Sequence, residues 1–221
     1  MIQIDNVTKT YQQGLKQTEV LRGISCEIPD GEFAFIVGPS GSGKSTLLYL
    51  MGALDVPTAG SIELDGQDVA KLSPIAADEL RRRQLGFVFQ SFNLIRNLTA
   101  VDNVLVPFLP DGRQPEMKAK ASELLSSIGL GDRLHHLPSQ LSGGEQQRVA
   151  IARAILKQPK YVFADEPTGE LDSATGQVVF EMLRKLHEEQ GTTIVTVTHD
   201  DRYIRDSDRI LRIEDGRIIE P

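Results

Sequence analysis

The apolar positions of this chain fall into two kinds of run. Phe33-Ala34-Phe35-Ile36-Val37 is unbroken, which predicts a strand buried on both faces. Tyr161–Ala164 and Thr192–Thr198 are similar short runs of apolar and β-branched residues, and Gly86-Phe87-Val88-Phe89 predicts one more strand. Helical spacing marks Glu116–Ile128, stopped by Gly129, and also Glu145–Lys157 and Thr175–Glu189. Strands alternating with helices predict a parallel α/β sheet. The outer parts differ. Ile2 and Ile4 alternate with polar residues, and Ser61–Val69 turns at Asp65-Gly66. Ser73-Pro74 reads as a cap and first-turn proline opening a short helix toward Arg83. Arg209–Ile219 carries Asp215-Gly216 between two apolar runs, a hairpin. The expected architecture is α/β: a parallel-sheet core, an antiparallel β elaboration and a helical insertion at about 91–140, within a single domain spanning 1–221.

Composition narrows the class. A chain of 221 residues, 40 % hydrophobic and 25 % charged, suits one large globular domain. The net charge of −7 weighs against a duplex-DNA partner, and the run Arg81-Arg82-Arg83 reads as a solvated helix face. Cys26 is the single cysteine, so neither an internal disulfide nor a multi-thiolate zinc site is available. The start of the sequence shows no basic segment followed by an apolar run, and the expectation is no secretion signal. No apolar stretch approaches the roughly 20 residues of a membrane-spanning helix.

The chemistry begins directly after the first buried strand. Gly38-Pro39-Ser40-Gly41-Ser42-Gly43-Lys44-Ser45 fits G-x4-G-K-[ST], and a helix pattern, Thr46–Met51, follows. Glycines let backbone N–H groups converge on phosphate oxygens, and the helix N-terminus adds positive potential. Lys44 supplies a point charge for the outer phosphates and Ser45 a hydroxyl for Mg²⁺.

Further candidates sit at strand ends, where open parallel sheets bind ligands. Asp165 ends the Tyr161–Ala164 run and is placed to support Mg²⁺; Glu166 follows it and is placed to orient a water. His199 ends the next strand, while His135, His136 and His187 lack ligand spacing and read as surface residues. Leu141-Ser142-Gly143-Gly144-Glu145 combines a capping box, Ser142 with Glu145, and two glycines at a helix start. That is a second anion-binding surface in one chain.

Taken in order, Tyr11, Gly38–Thr46, Gln90, Leu141–Gln147, Val162–Glu166, Gly169–Asp172 and His199 resemble the ATP-binding cassette (ABC) ATPases over essentially the whole chain. The resemblance implies a P-loop NTPase fold with a RecA-like core, ATP and Mg²⁺ as cofactors, and ATP hydrolysis coupled to transport. It implies that Tyr11 stacks on adenine and that Gly38, Pro39, Ser40, Gly41, Ser42, Gly43, Lys44, Ser45, Thr46 and Gln90 surround ATP. Ser45, Gln90 and Asp165 serve the metal, and Glu166 and His199 are catalytic. Leu141, Ser142, Gly143, Gly144, Glu145 and Gln146 form a signature that closes on the opposite subunit of a head-to-tail homodimer, beside the cross-dimer loop at Asp172. The implied partners are integral membrane permease subunits on separate chains, with no nucleic acid, at the cytoplasmic face of the membrane. Asp165-Glu166-Pro167-Thr168-Gly169, Leu171-Asp172-Ser173, Thr175-Gly176 and Phe92-Asn93-Leu94 through Asn103-Val104 and Pro107 are similar to the macrolide-efflux, lipoprotein-release and cell-division members. Glu170 departs from that subgroup, which usually has Asn there. The rival reading is a non-transport ABC ATPase acting on nucleic acid or the ribosome. Those chains carry a long coiled coil, zinc modules or a second cassette, and the stretch between Lys44 and Ser142 leaves no room for a coiled coil.

Overall fold

A computed structural model describes residues 1–14, 16–112 and 115–219. Positions 220 and 221, where the single-domain reading ends, and positions 113 and 114 of the helical insertion lie outside the described residues.

The first two strands, β1 (Ile2–Gln13) and β2 (Lys16–Ile28), form a long antiparallel hairpin. β4 (Ala59–Leu64) and β5 (Gln67–Asp68) extend it into a sheet of order β2-β1-β4-β5. The β4–β5 turn is Asp65-Gly66, both at positive φ, the backbone that a tight hairpin of matching twist requires. Alternation in β1 is out of phase: Ile2, Ile4 and Val7 are all buried because the register shifts between Ile4 and Val7 and twice more before Thr10. Those bulges explain why the sequence pattern reveals only the start of this strand.

The second sheet contains β3 (Phe33–Val37), β6 (Leu85–Phe89), β7 (Tyr161–Asp165), β8 (Thr193–Val197), β9 (Arg209–Glu214) and β10 (Arg217–Ile219). Its order is β10-β9-β3-β8-β7-β6, parallel throughout except for the edge hairpin β9–β10. Every residue of β3 is buried, as its unbroken apolar run predicts for a strand covered on both faces, and so is every residue of β7 and β8, Asp165, Thr193 and Thr196 included. One face carries α1 (Lys44–Met51) and the antiparallel sheet, with Leu47, Leu48, Leu50 and Met51 packed among Ile2, Ile24 and Ile62. The other face carries α5 (Gly143–Ile155) and α6 (Ser173–Gln190), whose Ile151, Val179 and Leu183 pack on Phe35 and Val162. Each such buried aliphatic side chain contributes about 1.5–3 kcal/mol relative to exposure.

α2 (Pro74–Gln84) starts at the Ser73 cap; its Arg81 and Arg82 pair with Asp78, Glu79 and Asp111. Between β6 and α5 stand α3 (Ala100–Leu105) and α4 (Pro115–Ser127), with a third apolar cluster of Val101, Val104, Leu125 and Val149. α3 has six residues and is fixed by the Thr99 cap, too short to show helical spacing. His187 is not a plain surface residue as expected: it stands edge-on to Phe33 and bonds the Thr192 carbonyl at 3.2 Å.

The Arg184 side chain of α6 is 6 % exposed and pairs with the Asp208 side chain, 2 % exposed, while its guanidinium lies 3.7 Å from the Phe33 ring centroid. Arg184→Ala strands a buried carboxylate and is expected to lower the unfolding free energy by about 3–5 kcal/mol in a denaturant titration. Replacing Arg184 and Asp208 together by Met and Leu should recover most of that loss.

Candidate functional site

The loop from Gly38 to Gly43 joins β3 to α1 at the carboxyl edge of the parallel sheet. It is packed tightly from below. Gly38 has φ +146°, and a Cβ there would stand 2.0 Å from the Ile213 carbonyl oxygen of β9, so only glycine fits. The turn of the β9–β10 hairpin donates the Gly216 N–H to the Ser42 carbonyl at 3.1 Å. Lys44 is buried, and its Nζ donates to the Gly38 and Pro39 carbonyls at 3.0 and 2.8 Å. The Ser42 hydroxyl is buried without a partner among the described residues. The α1 helix starts at Lys44, two residues earlier than the spacing predicts, with Gly43 at its N-cap and no side-chain cap on its first N–H groups.

Asp165, at the end of β7, is 8 % exposed. Ser45 Oγ donates to one of its oxygens at 2.8 Å and Tyr49 OH to the other at 2.6 Å. Ser45 and Tyr49 are four residues apart on α1 and so share one face of the helix. The Tyr49 ring lies 6.4 Å from that of Phe89, whose position on β6 is directly opposite Asp165. Burial pushes the Tyr49 hydroxyl pKa far up, and the Asp165 carboxylate adds to it. Sequence reasoning missed Tyr49. The signal that marks it is the helical step of four from Ser45.

Glu166, the next residue, has a left-handed backbone, φ +44°, at a cost of about 1–3 kcal/mol for a non-glycine residue. Its N–H donates to the Val197 carbonyl at 3.0 Å, and its carbonyl accepts from Gly169 N–H at 3.0 Å. This turn brings Glu166 Oε2 to 3.4 Å from Nδ1 of His199, which follows β8. The His199 side chain is 68 % exposed and that of Glu166 27 %. Gln90 follows β6 and lies against Gly169, where a Cβ would meet its Nε2 at 2.9 Å. Five predicted residues, Lys44, Ser45, Asp165, Glu166 and His199, thus line one edge with Gln90 beside them.

Tyr11 of β1 is 41 % exposed, and its hydroxyl donates to Asp55 at 2.8 Å. Lys9 Nζ lies 4.8 Å from the ring centroid and also bonds Asp55, at 2.7 Å. Burial raises the Tyr11 pKa and Asp55 adds to it, while the Thr46 side chain pulls the other way. Burial pushes the Asp55 carboxyl up, but the bonds from Lys9 and Tyr11 outweigh it and hold the pKa below the usual range. Asp55 and Lys9, which fix this ring, carry no sequence signal of their own.

The segment predicted as a second anion surface lies elsewhere. Ser142 Oγ accepts from the Glu145 N–H at 3.3 Å, and Glu145 accepts from the Ser142 N–H at 2.8 Å, the capping box that the spacing predicts. The Ser142 N–H, aided by Arg133, outweighs burial and lowers the Glu145 pKa. Leu141 is buried, and its carbonyl accepts from Gln146 at 3.1 Å. A Cβ on Gly144 would meet Thr175 Cγ2 of α6 at 2.3 Å, and Thr175 is itself held by Asp172, which caps α6 at 3.0 Å. Gln147, fully buried, ties α5 to the strand ends by donating to the Pro167 carbonyl at 2.5 Å. The phosphate loop grows from β3, whereas α5 packs on β6, three strands away in the sheet and so about 14 Å across it.

The profile of the family described as "ABC transporter" matches residues 21–169. An uncharacterized ABC transporter ATP-binding protein of Thermotoga maritima is 49 % identical over 219 residues, 99 % of this chain and 93 % of that protein. Two macrolide export ATP-binding/permease proteins MacB match the whole chain, at 48 % identity in Syntrophobacter fumaroxidans and 47 % in Rhodopirellula baltica. The chain spans only 31 % and 33 % of those two proteins. Among solved structures, a dimeric bacterial ABC transporter cassette superposes with a TM-score of 0.92 at 44 % identity, covering 100 % of this chain and 97 % of the other. A dimeric post-hydrolysis state of an ATP-binding cassette, bound to ADP and Pi, matches equally well, again at TM-score 0.92 and 44 % identity.

Gly144→Ala gains helix propensity worth about 1 kcal/mol but drives a methyl group into Thr175, and overpacking of that kind costs about 1–3 kcal/mol. The expected net result is a lower melting temperature. Thr175→Ser deletes the offending methyl, keeps the hydroxyl on Asp172, and should restore most of the loss in the double variant.

Proposed function

Because the chain belongs to the ABC transporter family of ATP-binding cassettes, we propose that its two anion surfaces serve two different ATP molecules, one on each side of a head-to-tail homodimer. The observation that carries this is the separation of the phosphate loop on β3 from the signature at the start of α5, three strands away. The dimeric cassettes that superpose on this chain support it. The chain is the ATP-binding and ATP-hydrolysing part of a transporter, residues 1–221 forming one cassette with positions about 91–140 as its inserted helical lobe.

In this reading adenine lies on the ring of Tyr11, on the face that Lys9 leaves free. The phosphates sit in the loop Gly38–Gly43. On ATP binding Lys44 exchanges its bonds to the Gly38 and Pro39 carbonyls for the outer phosphates. The donor set around Asp165 fits Mg²⁺: a buried carboxylate with two hydroxyl donors and no cationic partner among the described residues, beside Ser45 and Gln90. Bound there, Mg²⁺ would offset charge on the phosphate oxygens. Glu166 takes the proton of the attacking water, held toward His199 by the strained turn. Leu141, Ser142, Gly143, Gly144, Glu145 and Gln146 present the α5 N-terminus to the γ-phosphate bound by the second copy, with Asp172 alongside.

A permease on a separate chain completes the transporter. The Thermotoga relative, matched over almost its whole length, supports this arrangement; the MacB relatives are ATP-binding/permease proteins, and the similarity to them favours an export or force-transmitting system. No helix among the described residues is long and apolar enough to cross a membrane; the peripheral place on the cytoplasmic side rests on the family alone.

Glu166→Gln is expected to bind ATP with little change and to elute as a dimer with ATP and Mg²⁺, while phosphate release falls by about 10²–10⁴-fold, the usual worth of a general base. Undiminished turnover would remove Glu166 from the mechanism. A tagged chain purified from detergent-solubilised native membranes should bring a permease with it; recovery with nucleic acid or a ribosomal particle instead would favour the rival reading.

A further inference from the structure

We propose that Tyr49 is a positioning residue for the metal-supporting carboxylate: its hydroxyl fixes one oxygen of Asp165 so that the other faces Ser45 and the phosphates. The inference rests on the assignment of Asp165 to Mg²⁺ support and extends it to a residue outside the motifs that carry the family resemblance.

Three observations support it. Tyr49 OH donates to Asp165 Oδ2 at 2.6 Å while Ser45 Oγ donates to Oδ1 at 2.8 Å, so the two hydroxyls take one carboxylate oxygen each and fix its plane. Both donors project from the same face of α1, one helical step of four apart, so the carboxylate is gripped by a single rigid element. The phenol ring is itself wedged: it packs by Phe89, which pairs with Asp165 across the β6–β7 ladder and stacks on Phe87, and Phe87 in turn fills the space against Gly52 at the end of α1.

The chemistry follows from this geometry. A carboxylate that supports a hard cation must present an oxygen at a fixed place, and the residues that hold it there carry a large part of the metal's affinity. Ser45 is assigned to the metal and leaves Asp165 when it turns toward the cation. Tyr49 is then the donor that stays, and without it the Asp165 side chain is free to rotate at the moment when its direction counts.

Tyr49→Phe keeps the ring and its packing and removes only the hydroxyl. The test is equilibrium binding of a fluorescent ATP analogue, titrated first in EDTA and then at increasing Mg²⁺. For the unaltered protein, affinity rises with Mg²⁺. For Tyr49→Phe the affinity in EDTA is expected to be unchanged, whereas the Mg²⁺ concentration for half-maximal gain rises roughly tenfold, the lower end for loss of an outer-sphere partner. In turnover assays the same shift appears in the Mg²⁺ requirement, with KM for ATP at saturating Mg²⁺ little altered. Tyr49→Leu should show the same Mg²⁺ shift together with a lower melting temperature, since it also loses the ring. Equal Mg²⁺ dependence in Tyr49→Phe and the unaltered protein overturns the proposal, and so does an equal loss of affinity with and without Mg²⁺, which marks a merely structural role. An unaltered protein whose nucleotide affinity ignores Mg²⁺ overturns the Asp165 assignment itself, and the proposal with it.

Discussion

The Asp165 carboxylate, buried at the carboxyl edge of the sheet and held by two hydroxyls of α1, ties the phosphate loop to the rest of the molecule. A buried charge with only neutral donors is costly unless something positive arrives. In the proposed site that cost favours a cation arriving together with its anionic ligand over either alone. It also fixes α1 against β7, and through α1 the direction in which the loop N–H groups point. The loop is held from the opposite side by the β9–β10 hairpin, which leaves no room beside Gly38 and bonds the Ser42 carbonyl. Between these two restraints the loop has little freedom, so its N–H groups are oriented before ATP arrives and the entropic cost of ordering them falls on folding.

Much of this was legible in the sequence, where local rules act alone. The unbroken apolar run at Phe33–Val37 marks β3, and the apolar and β-branched runs mark β7 and β8, because strands covered on both faces favour such residues. The capping box at Ser142 and Glu145 and the Asp-Gly turns appear where expected, since each is settled within four residues. What stayed hidden depends on distant parts of the chain. The bulged register of β1 scrambles its alternation, α3 owes its six residues to packing against α5, and His187 is turned inward by Phe33. Tyr49, Asp55 and Lys9 belong to this class: each matters through a partner far away in sequence, and only Tyr49 has a local mark, its helical step of four from Ser45.

The two halves of the proposed site differ in how finished they are. Lys44 and Asp165 are buried and fully engaged within one chain. Gln90 and Ser142 are exposed, and the His199 side chain is 68 % exposed, beside a Glu166 held in strained backbone. Electrostatic stabilisation of a transferring phosphoryl group needs a dry site, because water weakens every charge–dipole term by its dielectric response. A lone cassette therefore binds nucleotide with its rigid half but leaves the reacting phosphate in water. Covering it takes a second anion surface from another molecule, the part proposed for the start of α5 in the partner copy. In the proposed dimer, closure excludes water from the reacting phosphate and so ties hydrolysis to the meeting of the two copies. In the proposed assembly the work available to a permease is the free energy with which ATP holds the two copies together, and phosphate cleavage releases it by dividing the charge that both surfaces share.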